Sequence, residues 1–545
     1  MRKIPVGIQD FKKLRDEDYY YVDKSDLIAQ ILDGGAEVYL FTRPRRFGKS
    51  LNLSMMDAFL NVKHKGNTWF DGLKISERDD LGPRKNASPV LYFDFKDLNV
   101  ESYDMFILGI RNKVARLFDS FRDVIDENTS NLSRDEFNSI YRKASDIDTL
   151  SRSFRILTDL IQEHHGKKAV VLIDEYDNPI WKAYGRDDFR RILDFMETMI
   201  GLLFRENESL DFTVMMSMMH ISKGSMSRES NRLHINDVLS TGSDEMFAFT
   251  PDEVRRLCED YGHPEKYEET KMWYGGHIFG DAEVFDPWFV MNYLGSEFTM
   301  PPFWADTCGY SLVKHLTSKR DDATSENLRV LASGGTVMER IDPNVVYGDL
   351  HSDPATIYSM MVMAGYLRAV PKGSCHELSI PNRHLFGIFA EMMARDLISG
   401  SSSLYKFTDS IVSCDTRMMS SSLYEMMSEA VGYRVLDNEH SYQAFITGVL
   451  MYLSGRYRVT ADMEAGNGYY DIRLERIVGD GPNILIEITR RRDSDGSKRT
   501  EELAEEALAQ IKKKDYIHGL KGDTILYGVA FDGKLPSVIA ERTVL

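Results

Sequence analysis

The tripeptide Gly48-Lys49-Ser50 opens a helical pattern directly after an apolar run, Glu37–Thr42 (EVYLFT). A glycine, a lysine and a hydroxyl residue between a strand and a helix suit a phosphate group. Backbone N–H groups at a helix N-terminus point at an anion, and the helix dipole favours negative charge there. Gly48 would let the backbone approach closely, Lys49 would neutralise the β- and γ-phosphates, and Ser50 would ligate Mg²⁺. The ligand implied is ATP or a related nucleoside triphosphate. The full pattern GxxxxGK[ST] is incomplete, because Arg43 stands at the first glycine. Arg43, Arg45 and Arg46 add positive charge, with Arg46 a candidate nucleotide contact, whereas Pro44 removes one N–H donor.

A second group follows at Asp174-Glu175-Tyr176-Asp177, at the end of the apolar run Ala169–Ile173 (AVVLI). The carboxyl end of a strand is where ligands sit in open α/β sheets. There Asp174 would hold Mg²⁺ and Glu175 would orient or deprotonate an attacking water. Apolar strands followed by acidic residues are common. Its pairing with an upstream Gly-Lys-Ser is what gives this one weight.

The third group is C-terminal. Glu464, Asp471 and Glu487 fall on or beside consecutive predicted strands, and Gly466 and Gly468 open the turn before Asp471. Carboxylates on neighbouring strands can share a Mg²⁺ that activates water against a phosphodiester. Glu439 in the preceding helix would add a further acid. Surface charges with no shared site are the plain alternative.

Positioning these groups requires an α/β fold. Glu37–Thr42, Val90–Phe95, Ala169–Ile173 and Phe212–Met216 read as buried strands. Helical patterns beginning at Leu51–Phe59 and spanning Leu150–His164 lie between them. Buried runs separated by helices predict a parallel sheet covered on both faces. This region is read as residues 1–294, followed by a mostly helical middle region, 295–437, and a small α/β domain, 438–545. The last opens with an amphipathic helix (Ser441–Leu453). Strands follow at Tyr457–Glu464, Tyr470–Arg476 and Asn483–Thr489, then a charged helix (Arg499–Lys514) and a final strand (Thr524–Phe531).

The 545 residues suffice for three or four domains at roughly 100–200 residues each. A net charge of −18 argues against nucleic-acid binding by the surface as a whole. Local basic clusters at Arg43–Arg46 and Arg490–Arg492 keep a DNA or RNA groove open. Cys258, Cys308, Cys375 and Cys414 lack metal-ligand spacing and read as reduced thiols. With no signal-peptide pattern and no long apolar run, the expectation is a cytoplasmic protein without a membrane span. The pair His164-His165 reads as a helix end, and the run Met215–Met219 as sheet core and loop.

The runs YYVDKSDLI (Tyr20–Ile28), RPRRFGKSL (Arg43–Leu51) and VLIDEYD (Val171–Asp177) resemble the AAA-ATPase-like proteins of bacteria and archaea. So do SMMHISKGSMSRESN (Ser217–Asn231), WYGGHIF (Trp273–Phe279), FDPWFVMNYL (Phe285–Leu294), FWADT (Phe303–Thr307), AGYL (Ala364–Leu367) and IPNRHL (Ile380–Leu385). That family commonly carries arginine at the position of Arg43. The resemblance implies a P-loop ATPase domain and a C-terminal PD-(D/E)XK nuclease-like domain, with Gln510 matching the family's helix glutamine. Ser217 departs from the family's usual Thr-Gly and reads as sensor-like. Arg228 and Arg232 are candidates for a transition-state arginine. The nuclease pattern expects Glu-x-Lys, but the chain reads Glu487-Ile488-Thr489, with Arg491, Lys512 or Lys513 as substitutes for the lysine. Two functions follow as expectations: an ATPase coupled to a metal-dependent nuclease, or an ATP-dependent binding switch with a degenerate nuclease-like domain. Many ATPases complete their sites across subunits, which leaves room for a homo-oligomer.

Overall fold

Five strands, β1 (Val38–Thr42), β2 (Val90–Asp94), β3 (Ala169–Asp174), β4 (Leu210–Ser217) and β5 (Leu233–Asn236), form a sheet in the order β2-β3-β4-β1-β5. Every pairing is parallel. β1 and β3 are buried along their whole length, as unalternated apolar runs require when both faces are covered. Register aligns Asp94 with Asp174, Asp174 with Met216, Met216 with Phe41, and Phe41 with Asn236. The carboxyl ends therefore form one edge, with β4 inserted between the strand before the loop and the acidic strand.

Helix α1 (Lys49–Leu60) covers one face. Leu53, Met56 and Leu60 share a core with Phe41, Leu172, Val214 and Met216. Helix α2 (Tyr103–Asp119) lies against β2. Helix α3 (Ser153–His165) covers the other face, where Phe154 meets Phe93 edge-on at 5.0 Å, and helix α4 (Phe189–Phe204) packs against α3.

The structure is a computed structural model. It describes residues 2–126, 129–220, 233–296, 298, 322–332, 334–349, 354–386, 388–389, 403–430, 439–450, 453, 457–476, 481–492 and 495–545. The chain divides into two compact units, Met1–Phe298 with Glu339–His376, and Thr299–Met338 with Glu377–Leu545. The largely helical segment 295–437 contributes to both. Among the described residues no helix is long and apolar enough to cross a membrane.

The second unit is built on a mixed sheet of β6 (Tyr457–Ala465), β7 (Gly468–Arg476), β8 (Asn483–Arg490), β9 (Asp523–Asp532) and β10 (Leu535–Val544), paired in that order. Only β8 and β9 are parallel, and the crossover between them supplies helix α8 (Thr500–Lys513). Helices α5 (Ser403–Ser413), α6 (Thr416–Ala430) and α7 (Glu439–Leu450) share one core with Ile472, Ile486, Tyr527 and Phe531. The core of this sheet thus begins N-terminal to residue 438, at Leu404. Helix α8 (Thr500–Lys513) covers the opposite face through Leu503, Ala504 and Ile511. A Cβ at Gly528 would fall 2.0 Å from Ala504 O and 2.6 Å from Leu508 N, so glycine is what lets α8 lie this close to β9.

Candidate functional site

In the first unit, Gly48 takes a left-handed conformation (φ 70°) and turns the chain from the loop into α1. The preceding residue types are then separated by the fold. Arg43 is fully buried and its guanidinium leaves the loop, contrary to its expected share in the loop's positive charge. It donates to Thr42 O and Asn236 O at 2.9 Å each and to Asn236 Oδ1, and lies over the rings of Phe247 and Phe279. Arg45 and Arg46 face a cavity of about 470 Å³, where they stack on Trp181 and Trp288 at 4.9 and 3.8 Å.

Gly48, Lys49, Ser50 and Glu175 line the same cavity, with Gln9 and Tyr21 from the N-terminal segment. Lys49 Nζ donates to Arg43 O at 2.9 Å and Pro44 O at 2.6 Å. Burial pushes its ammonium down to about 8, against the pull of Asp177, Glu175 and Asp174. Ser50 Oγ donates to Asp174 Oδ2 at 2.6 Å. Asp174 is completely buried, and its Oδ1 has no hydrogen-bond partner among the described residues. A buried carboxylate oxygen left unpaired is costly, and a divalent cation would satisfy it. Glu175 sits at the strand end with φ 50°, a strained conformation for a non-glycine residue, and accepts from Asn178 Nδ2 at 2.8 Å.

One residue of this region, Asp177, is named in the sequence without a role, and another, Lys96, is not named. Asp177 is buried and accepts from the N–H groups of Met218 and Met219, tying the end of β4 to the acidic loop. Burial pushes it up to about 6. Lys96, beyond β2, reaches Ser50 and Asp174. Only strand order reveals that β2 lies beside β3. Ser217 ends β4 opposite Thr42, and its buried Oγ has no partner among the described residues. Arg228, Arg232 and the FWADT run lie outside the described residues.

In the second unit, β6 and β7 are joined by a two-residue turn, Gly466-Asn467, that pairs Ala465 with Gly468. Ala461 pairs with Ile472 and Met463 with Tyr470, so Asp462 falls opposite Asp471. Ile472 pairs with Ile486, and continuing that register sets Asp471 opposite Glu487. The row runs Asp462, Asp471, Glu487, Gly528 and Ile539. Glu464 is a correction: it lies exposed at the turn end opposite Tyr469, two residues past the row. Counting outward from the turn would have selected Asp462 instead.

Asp471 Oδ2 accepts the Ile488 N–H at 2.6 Å, and Gln443 Nε2 donates to the Asp471 backbone carbonyl at 2.8 Å. Gln510 Nε2 donates to Glu487 Oε1. Glu487 Oε2 is buried without a partner among the described residues. Burial pushes both carboxyls up; Asp471 raises Glu487 further, Asp462 raises Asp471, and Glu439 raises both. Asp471 and Glu487 can offer two oxygens to a divalent cation, whereas Asp462 is held by Arg383 at 2.7 Å. Thr489 Oγ1 donates to Glu439 Oε1 at 3.1 Å. The cation reaching Glu439 is Arg492, at 2.7 Å. Arg491 pairs with Asp532 and Lys512 with Glu541 instead.

The pair His164-His165 has acidic neighbours that its spacing did not suggest, Asp126 at 3.0 Å and Asp123 at 3.5 Å. Asp123 with both histidines is the group of three metal-ligand types found among the described residues, and all three lie near the surface.

Residues 5–227 match the family described as predicted AAA-ATPase, and residues 437–541 match the PD-(D/E)XK nuclease superfamily. The chain joins an AAA-ATPase-like domain to a PD-(D/E)XK nuclease-like domain. It is similar to an uncharacterized protein in the vnfD 5′ region of Azotobacter chroococcum mcd 1, at 26% identity over 372 residues, covering 67% of this chain and 64% of that protein. Among solved structures, a STAND (signal transduction ATPase with numerous domains) protein with a tetratricopeptide repeat sensor, from Pyrococcus horikoshii, aligns at 13% identity with a TM-score of 0.24. That alignment covers 80% of this chain and 54% of the other. The chain thus spans less than two thirds of the length of either.

Proposed function

We propose that the chain binds Mg²⁺–ATP at the carboxyl edge of its parallel sheet and hydrolyses it, and that this controls a metal-dependent nuclease-like domain acting on DNA or RNA. The observation that carries the reading is the convergence of Lys49, Ser50 and Asp174, with a buried Asp174 oxygen lacking a protein partner. Ser50 and Asp174 would hold Mg²⁺, which neutralises phosphate charge. Gly48 lets the backbone close on the phosphates, Lys49 exchanges its carbonyl partners for phosphate oxygens, and Arg46 borders them from Trp288. Glu175, held by Asn178, orients or deprotonates the attacking water. In the other unit, Asp471 and Glu487 would hold Mg²⁺ for phosphodiester hydrolysis.

A second reading, an ATP-dependent switch that binds without cutting, is favoured by Thr489 at the motif lysine, hydrogen-bonded to Glu439. Fluorescent ATP analogue binding to wild type and Lys49→Ala tests the first claim. Loss of a charge-assisted contact should weaken binding about tenfold to a hundredfold, and equal binding would overturn it. DNA and RNA incubated with Mg²⁺ or Mn²⁺ and ATP separate the two readings. Cleavage abolished by Asp471→Ala or Glu487→Ala supports the nuclease. ATP-dependent binding without cleavage, with activity appearing in Thr489→Lys, supports the switch.

A further inference from the structure

A side-chain cation bridges the two candidate magnesium ligands. Lys96 Nζ lies 2.8 Å from Ser50 Oγ and 2.9 Å from Asp174 Oδ2. It also donates to Gln9 Oε1 at 3.0 Å, in the N-terminal segment that lines the cavity. Its placement is built into the backbone. Phe95 N–H continues the β2–β3 ladder by donating to Asp174 O at 3.0 Å. Asp94 Oδ1 then accepts the Lys96 N–H at 3.1 Å, and Asp97 turns the chain away with φ 56°. The lysine is delivered over the end of β3.

A Mg²⁺ bound by Ser50 and Asp174 would sit about 2.0–2.1 Å from each oxygen. An ammonium hydrogen-bonded to both atoms claims the same space, and two cations that close repel strongly. We propose that Lys96 is the resident counterion of the magnesium position, exchanged for Mg²⁺ when Mg²⁺–nucleotide enters. The inference rests on the Mg²⁺–ATP reading of this site.

Two consequences have opposite signs. Lys96 competes with Mg²⁺, so removing it should strengthen the response to the metal. Lys96 is also a positive neighbour for phosphate, so removing it should weaken nucleotide binding when no metal is present. A merely structural lysine would weaken both.

The test compares wild type, Lys96→Met and Lys96→Arg, each as the full chain. Thermal melts are recorded in EDTA and in MgCl₂ alone, and binding of a fluorescent ATP analogue is titrated with Mg²⁺. In Lys96→Met, buried Asp174 keeps the Ser50 hydrogen bond but loses its counter-charge, so the variant's melting temperature should drop in EDTA and recover with Mg²⁺. Wild type and Lys96→Arg should respond little to the metal. The Mg²⁺ concentration for half-maximal analogue binding should fall about tenfold or more in Lys96→Met, the scale of one charge-assisted contact. Its metal-free analogue affinity should fall. A Lys96→Met chain that does not respond to Mg²⁺, or that weakens in parallel with and without metal, overturns the proposal. If Lys96→Met fails to fold, Lys96→Gln replaces it under the same criteria. Wild type that binds no analogue under any condition refutes the ATP reading instead, and the melts in MgCl₂ alone still decide on Lys96.

Discussion

Arg43 stands where the GxxxxGK[ST] pattern has glycine, and its buried side chain explains why the loop keeps its shape without one. The guanidinium bonds the end of β5 through Asn236 and fills the space between Phe247 and Phe279. Arg43→Gly would match the motif better, yet it removes those contacts and leaves acceptors unpaired. We expect a loss of about 3 kcal/mol or more in urea denaturation and no gain in nucleotide affinity. Lys49 gives a second expectation. Burial lowers its pKa to about 8, so above that pH it is largely neutral and must take up a proton to face phosphate. Nucleotide affinity should be flat below about pH 7 and fall by about tenfold per pH unit above about pH 8. Calorimetry in buffers of different ionisation heat would register the proton uptake, and an affinity unchanged to pH 9.5 would refute it. These residues were visible in the sequence because a local motif fixes their spacing. Lys96 and Asp462 were not, because strand order brings the first to the site and hairpin register the second.

The same distinction holds for elements. β1 and β3 were legible because central parallel strands must be apolar throughout. β5 and β10 were not read as strands. Each lies at a sheet edge, half exposed, with mixed composition, and β10 carries Pro536, which edges tolerate. In the second unit, the row across β6, β7 and β8 makes a linkage prediction. Asp471 and Glu487 are both pushed up on folding, so their ionisation is penalised in the native sheet. Stability from this pair is full at acid pH, below the unfolded carboxylate range, and is lost as pH rises through neutrality. In EDTA the melting temperature should therefore fall from pH 5 towards pH 9. Glu487→Gln should flatten the slope, and Mg²⁺ should oppose it in wild type. A wild-type slope unchanged by Glu487→Gln would show that the pair is not its source.

For the whole molecule, the boundary of the C-terminal unit matters more than its motif. Residues 437–541 carry the family match, but Leu404, Phe407, Ile411, Met419 and Leu423 belong to the same core. Tyr527 on the interior strand β9 donates to Ile411 O at 2.8 Å. A fragment beginning at residue 438 strips α5 and α6 from Tyr527 and Phe531. It should bind a hydrophobic dye and lose cooperative melting, whereas a fragment of 403–545 should melt cooperatively. Equal behaviour of the two fragments would refute this assignment. The middle of the chain was the least legible from sequence because its helices serve the cores of their neighbours, and no local pattern says which.

The turn Gly466-Asn467 has a consequence for how this region can vary. Gly466 is packed so closely that a Cβ would lie 2.3 Å from Asp515 O, and Asn467 N–H donates to Lys514 O at 2.7 Å. The turn is thereby clamped to the end of α8. Because register is counted outward from it, the turn works as a reading frame for the acidic row. Substitutions along β6 change one side chain each. A single inserted or deleted residue in the turn would shift Asp462 off Asp471 and turn alternate side chains to the opposite face. Length at this point, together with a glycine at 466, is what keeps Asp462 opposite Asp471.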